Sequence, residues 1–224
     1  MLNIIPVITI DGPSGTGKGT LGRQVASYLK WHFLDSGALY RILALAVLEH
    51  NIPQDDLLAI EALAEKLPVE FKFGHDHWQV IFENRDVVEE LPTEAIGHLA
   101  SQLAAIGAVR TALLARQRAF REEPGLVTDG RDMGTVIFPD AQLKIYLHAS
   151  PAVRAQRRYK QLKAKGLDVN LSQILQELAA RDARDSQRLI APMKAAPDAV
   201  IVDTSELTAE QVLAKVLELV AERL

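Results

Sequence analysis

Apolar residues along this chain follow two rhythms. Short, β-rich runs occur at Pro6 to Ile10, Trp31 to Leu34, Leu126 to Thr128, Leu143 to Leu147 and Ala199 to Val202. Between them apolar positions recur every three or four residues, as Leu21, Val25 and Leu29 do, which is the signature of a helix with one buried face. Strand and helix therefore alternate, and unbroken apolar strands need cover on both sides. The pattern predicts an α/β fold of three layers, with a central five-stranded parallel sheet between helices.

Two stretches break the rhythm. Val69 to Phe73 and Trp78 to Phe82 alternate apolar with polar residues across a Gly-His-Asp-His link, and Asp86 to Val88 follows. They predict a small antiparallel β insertion bounded by Pro68 and Pro92, with His75 and His77 on the surface of its turn. It lies between a helix over Ala38 to His50 and a long helical stretch from about Thr93 to Arg121. The second stretch, Pro151 to Lys165, is a basic helix carrying Arg154, Arg157, Arg158, Lys160, Lys163 and Lys165 and ending at Gly166. Alone it would read as a solvated surface helix. Beside a phosphate-binding loop it reads as a mobile cationic lid.

Composition narrows the class. A chain of 224 residues suits one α/β domain with small insertions. Cysteine is absent, which rules out disulfides, thiolate zinc sites and a cysteine nucleophile. No signal-peptide order and no membrane-length apolar run is present, so the expectation is a cytoplasmic protein that does not engage a membrane. The formal charge of −4 argues against bulk binding of polymeric nucleic acid while leaving room for a basic cleft. A monomer is expected.

The chemistry begins at residues 12 to 20, GPSGTGKGT, between the first strand and the first helix. The stretch matches the phosphate-loop pattern G-x-x-x-x-G-K-[ST] up to its last position, where Gly19 stands and Thr20 follows one place late. Gly12, Gly15 and Gly17 allow backbone N–H groups to turn towards one phosphate at a helix N-terminus. Lys18 is then placed to reach β and γ oxygens. Asp129, closing the run LVTD, is placed to meet a hydrated Mg²⁺ near the loop, together with Thr20, directly or through water.

A phosphate loop identifies a bound group and not a reaction. The guanine and switch motifs of signalling GTPases are missing, and length and charge argue against a motor or helicase. A small-molecule kinase must bring two anions together, so cations should converge from several segments. They do: Arg41 follows Asp35-Ser-Gly-Ala-Leu-Tyr, Arg131 follows Asp129-Gly, and Arg181, Arg184, Asp185 and Arg188 share a helical stripe about 100° wide. Pairing of Arg181 with Asp185 on a wet face competes with anion binding as the reading of that stripe.

The stretches GPSGTGKGT, LDSGALYR, DGRDMGTVIFPDA, RRYKQL and AARDARDSQR, in this order, resemble the bacterial cytidylate kinase family across essentially the whole chain. DSGALYR and GRDMGT are more specific than the loop. The resemblance also accounts for Gly19-Thr20, since nucleoside monophosphate kinases carry G-K-G-T. It implies ATP-dependent phosphorylation of CMP and dCMP, with Gly12, Pro13, Ser14, Gly15, Thr16, Gly17, Lys18, Gly19 and Thr20 on ATP. It further implies that Ser101, Arg110 and Asp132 read cytosine, Arg181 and Asp185 hold the ribose, and Arg41, Arg131 and Arg188 hold the acceptor phosphate. Ser36, Gly37 and Tyr40 would line the same pocket. Arg154, Arg157 and Arg158 would close over the transferring group, so that the catalytic set is Lys18, Arg131, Arg157, Arg158 and Arg188. The single domain would then divide into a core (1–38, 102–150, 171–224), a monophosphate-binding region with the β insertion (39–101) and a lid (151–170). A uridylate or mixed pyrimidine kinase, and a nucleotide-binding regulator without an acceptor, are the alternatives.

Overall fold

A computed structural model describes residues 4–73 and 78–224, so His75 and His77 lie outside the described residues. The first half of the chain runs β1 (Val7–Asp11), α1 (Lys18–Leu29), β2 (His32–Asp35), α2 (Ser36–Glu49), α3 (Leu57–Glu65), β3 (Val69–Phe73), β4 (Trp78–Phe82), β5 (Arg85–Asp86), α4 (Glu94–Leu103) and α5 (Gly107–Ala119). The second half runs β6 (Leu126–Gly130), a π-helical turn (Met133–Ile137), β7 (Leu143–His148), α6 (Pro151–Ala164), α7 (Leu171–Gln187), β8 (Val200–Asp203) and α8 (Ala209–Arg223). The five apolar runs form one sheet in the order β2-β6-β1-β7-β8, every neighbouring pair parallel.

Alternation along each strand splits the core into two layers. Val7, Leu34 and Leu126 face α2, α3, α4 and α5, while Ile8, Ile10, Phe33, Val127 and Ile145 face α1 and α8. That is the three-layer arrangement the strand pattern predicts. Helix starts are set locally: Asp35 accepts from the Ala38 amide, Ser150 from Val153 with Pro151 behind it, and Asn170 from Ser172 and Gln173. All of the strands' carboxyl ends meet one edge, where the loop after β1, Asp35, Asp129 and Ser150 emerge together.

The β insertion pairs as a three-stranded antiparallel sheet, β3-β4-β5, but its last strand is only Arg85–Asp86 and not Asp86 to Val88. Val87 instead turns inward and is fully buried. Sequence periodicity missed α3, which Asp56 caps by accepting from Ala59. The helix expected from about Thr93 to Arg121 is two helices, α4 and α5, bent by 97°. Ala104 to Ile106 leave the helix there, and the Arg110 guanidinium donates to the freed Ala104 carbonyl at 3.3 Å. Ser101 lies on α4 and Arg110 on α5, one on each side of the bend. Among the described residues no single helix is long and apolar enough to cross a membrane.

Candidate active site

The loop after β1 is shaped by close approach. A side chain on Gly12 would meet the Leu147 carbonyl oxygen at 2.2 Å, so only glycine allows the loop to leave the sheet beside β7. Gly17, at φ 94°, turns the chain into α1 and leaves the first helical amides free of intrahelical acceptors. Lys18 is buried and its Nζ donates to the Pro13 carbonyl at 2.7 Å. Burial first, and then the nearby Arg131 and Arg181, bring its pKa from 10.5 down to about 7. Thr16 folds its hydroxyl back on Pro13 at 3.0 Å, while Thr20 is exposed on the first turn of α1.

Facing Lys18 across the sheet edge are two neighbouring carboxylates, Asp35 and Asp129, which are register partners of β2 and β6. Asp129 is buried, one of its oxygens has no hydrogen-bond partner, and burial with the Asp35 charge lifts its pKa to about 8. An orphaned carboxylate oxygen beside a second carboxylate suits a hard cation that keeps most of its water, which is the coordination habit of Mg²⁺. The donor set therefore fits that ion.

Next along β6 comes the turn Arg131-Asp132-Met133-Gly134. Asp11, the last residue of β1, holds it by accepting from the Met133 and Gly134 amides at 2.9 and 2.8 Å. The turn then winds as a π-helix, the form often found where backbone is bent to aim side chains. Burial raises the Asp11 pKa from 3.8 to about 6, the two amides opposing the rise. The folded state thus binds this proton more tightly than the unfolded chain, so the stability Asp11 contributes is complete below about pH 4 and is lost as pH rises through about 6. The loss expected is on the order of 3 kcal/mol. Asp11→Asn removes the titration and should flatten the dependence of the denaturation midpoint on pH across that window. An unaltered slope would show that Asp11 is not the titrating group.

Asp132 is the centre of a buried triad. Its two oxygens pair with Arg110 from α5 and with Arg188 from the end of α7, the latter at 3.0 Å. Arg110 also reaches the Tyr40 hydroxyl at 3.3 Å, so α2, α5, the β6 turn and α7 converge on one spot. Ser101 is buried on α4 and accepts from Arg184 of α7 at 3.4 Å. Ser36 is buried at the start of α2, with Gly37 half-buried after it.

In a second group of cations, Lys18, Arg41, Arg131 and Arg181, only Arg131 has an ion-pair partner among the described residues. Asp185 pairs with Arg131 at 2.8 Å and not along its own helix with Arg181, whose Nε is buried without a partner. Burial, then Arg131 and Arg41, push the Arg181 pKa down to about 10. Arg41 donates to the Leu91 carbonyl at 2.7 Å and is lowered by burial, with Arg158 and Arg131 adding repulsion that Asp35 opposes. Lys18, Arg41, Arg131 and Arg181 thus come from four different segments, and the Arg131 charge, though paired with Asp185, bears repulsively on each of the other three, an arrangement that favours a multiply charged anion.

The arginines of α6 do not act as one set. Arg154 is buried and tied to the Ser14 and Ala149 carbonyls at 3.0 and 3.1 Å, and Arg157 binds Thr204 through its hydroxyl at 3.0 Å and its carbonyl. Arg158 differs in that its charge acts on Arg41, adding to the repulsion there. The first turns of this helix are fastened to the core, so any lid motion belongs to its later turns. Sequence reading overlooked Asp11, Asp35, Asp182 and Thr204 as parts of the site. For Asp11 and Asp35 the signal was available: the strand-ending aspartate that marked Asp129 recurs at the ends of β1 and β2.

The family model described as Cytidylate kinase matches residues 8–222. A cytidylate kinase of Aeromonas salmonicida (strain A449) is 53% identical over 224 residues, covering 100% of this chain and 97% of its own. One from Stutzerimonas stutzeri (strain A1501) is 55% identical over 225 residues, covering 100% and 98%. Among solved structures, an uncharacterized protein from Eubacterium ventriosum ATCC 27560 shares the fold at a TM-score of 0.51 and 12% identity, over 98% of this chain and 99% of that one.

Proposed function

The chain belongs to the cytidylate kinase family, and from that premise we propose a division of labour among its residues in moving the γ-phosphoryl group of ATP to CMP. The observation that carries the reading is the convergence of Lys18, Arg41, Arg131 and Arg181 beside a phosphate loop, with Arg131 hydrogen-bonded to the loop's Ser14 and its charge bearing on the other three. Each phosphate group bound there relieves part of the repulsion, and two meeting there relieve the most.

The amides of Gly15 to Thr20 cradle the donor phosphates at the start of α1, and Lys18 follows the charge from the β to the γ oxygen. Mg²⁺ would be held by Asp129, through water or directly and with Thr20, where it would offset negative charge on the donor phosphates. Arg41, Arg131 and Arg188 hold the acceptor phosphate. That oxygen is already anionic at neutral pH, so positioning and charge neutralisation supply the rate and no general base is required. His32, His50, His98 and His148 are accordingly all exposed. Arg181 and Asp185 take the ribose, and Ser101, Arg110 and Asp132 take cytosine, with Ser36, Gly37 and Tyr40 closing the pocket. Residues 39–101 serve the acceptor, 151–170 the lid and the rest the core. dCMP is a second acceptor, and the protein acts as a cytoplasmic monomer without polymeric nucleic acid or membrane.

A coupled ADP-release assay over CMP, dCMP, UMP, AMP and GMP tests the whole reading. CMP and dCMP should be turned over well and UMP poorly. Equal rates on UMP would favour a mixed pyrimidine kinase, and no acceptor-dependent ADP would leave only a nucleotide-binding regulator.

The fastening of α6 separates two arginines that adjoin in sequence. Arg158→Ala should lower kcat about tenfold with little change in thermal stability, because it removes charge from the transferring group. Arg157→Ala should instead lower the melting temperature, since it releases Thr204. Reversed effects would place Arg157 in the reaction and Arg158 in the scaffold.

A further inference from the structure

Ser14 lies where two ion pairs cross. On α7, Asp182 and Asp185 are three residues apart and share a face. Asp182 pairs with Arg154 at 2.6 Å, and Asp185 with the Nε of Arg131 at 2.8 Å. Both arginines then reach the same residue of the phosphate loop. Arg154 donates to the Ser14 carbonyl at 3.0 Å, and the Nη2 of Arg131 donates to the Ser14 hydroxyl at 2.7 Å. The remaining contact of Arg131, from Nη1 to the Gly130 carbonyl at 3.1 Å, completes three of its five N–H groups. Two N–H groups stay free, one on each terminal nitrogen.

The geometry points to the Ser14 hydroxyl as a positioning group for the acceptor arginine, and not as a ligand of the donor phosphates. Held at three points, Arg131 cannot swing about its long side chain, and its two free N–H groups keep a fixed direction relative to the donor loop. The Arg154–Asp182 pair fixes the backbone of Ser14 itself, so the anchor does not drift. In this way the loop that holds the donor also sets the angle at which the acceptor phosphate is presented. A misplacement of about 1 Å at such a point can cost a reaction up to roughly 10²-fold without weakening binding to match.

This inference rests on the proposed phosphoryl transfer to CMP, and the test keeps the two apart. Ser14→Ala and Ser14→Thr are compared with wild type for kcat, KM for CMP and ATP affinity by calorimetry. The alanine variant should lose about tenfold in kcat while ATP affinity and KM for CMP stay within about threefold; threonine, which restores a hydroxyl, should recover kcat to within about threefold. In an Arg131→Lys background, which lacks the fork, Ser14→Ala should cost less than a further twofold. The inference is overturned if Ser14→Ala weakens ATP binding as much as it lowers turnover, if its kcat is that of wild type, or if its effect is undiminished in the Arg131→Lys background. Wild-type turnover of CMP in the same series checks the activity itself: its absence removes that reading and the role of Arg131 with it, whereas wild-type turnover alongside an unaffected Ser14→Ala removes only the positioning role.

Discussion

Lys18→Ala is expected to lower turnover by about three orders of magnitude or more, roughly 4 kcal/mol of transition-state stabilisation, and to leave CMP affinity within about threefold of wild type. The two halves of that expectation come from different parts of the geometry. Lys18 belongs to the loop, where its ammonium is buried, donates to Pro13 and has its pKa brought down to about 7 by burial and then by Arg131 and Arg181. A lysine held at such a cost is suited to charge that develops during transfer. Arg41, Arg131 and Arg188 are carried by other elements, and none of them depends on Lys18 for a hydrogen bond. Removing the ammonium even relieves part of their repulsion, so the acceptor site should survive. Titration calorimetry of CMP into the variant, beside a single-turnover measurement, decides the matter. Loss of CMP affinity comparable to the loss of turnover would merge the two subsites proposed above.

Much of this architecture was legible because short-range rules and long-range packing agree. The strand at Leu143 to Leu147 could be placed because a fully buried parallel strand must be apolar throughout, and Ser150-Pro151 announces the helix after it. Lys18 could be placed at the start of α1 because the glycines before it and the helix after it fix its position within a few residues. The failures share a different cause. Nothing between Thr93 and Arg121 breaks helical periodicity strongly, and the 97° bend accompanies contacts of Arg110 with Asp132 and Ala104 that form only in the folded chain. The partner of Asp185 was likewise invisible: Arg181 is its neighbour by helical spacing, but Arg131, 54 positions away, takes the carboxylate. Arg157 and Arg158 look alike in sequence, and only the position of Thr204 after β8 separates them. Local pattern places elements, whereas pairings among charged side chains are set by which loops the sheet edge brings together.

One of those pairings makes the sharpest test of base selection. Asp132 is expected to accept from the cytosine N4 amino group while Arg110 donates to the unprotonated N3. Both oxygens of Asp132 are engaged, with Arg110 and with Arg188, yet a carboxylate offers about four acceptor sites and can take a further donor. Asp132→Asn keeps the shape and removes the charge. Its NH₂ must then face either an arginine or the base, and both arginines, about as buried as Asp132 itself, lose their counter-ion. Breaking a buried pair by removing one partner costs roughly 3–5 kcal/mol of stability, so the melting temperature should fall clearly and kinetics must be taken well below it. At such a temperature kcat/KM for CMP should fall by about one to two orders of magnitude, or about 1.4 to 3 kcal/mol. UMP should lose less, because a rotated amide can present NH₂ to the uracil O4. Discrimination should relax without inverting, since Arg110 remains a pure donor and opposes the N3–H of uracil. Both substrates are measured on both proteins. A lowered melting temperature with an unchanged CMP to UMP ratio would make Asp132 a counter-ion for Arg110 and Arg188 alone and remove it from the base pocket.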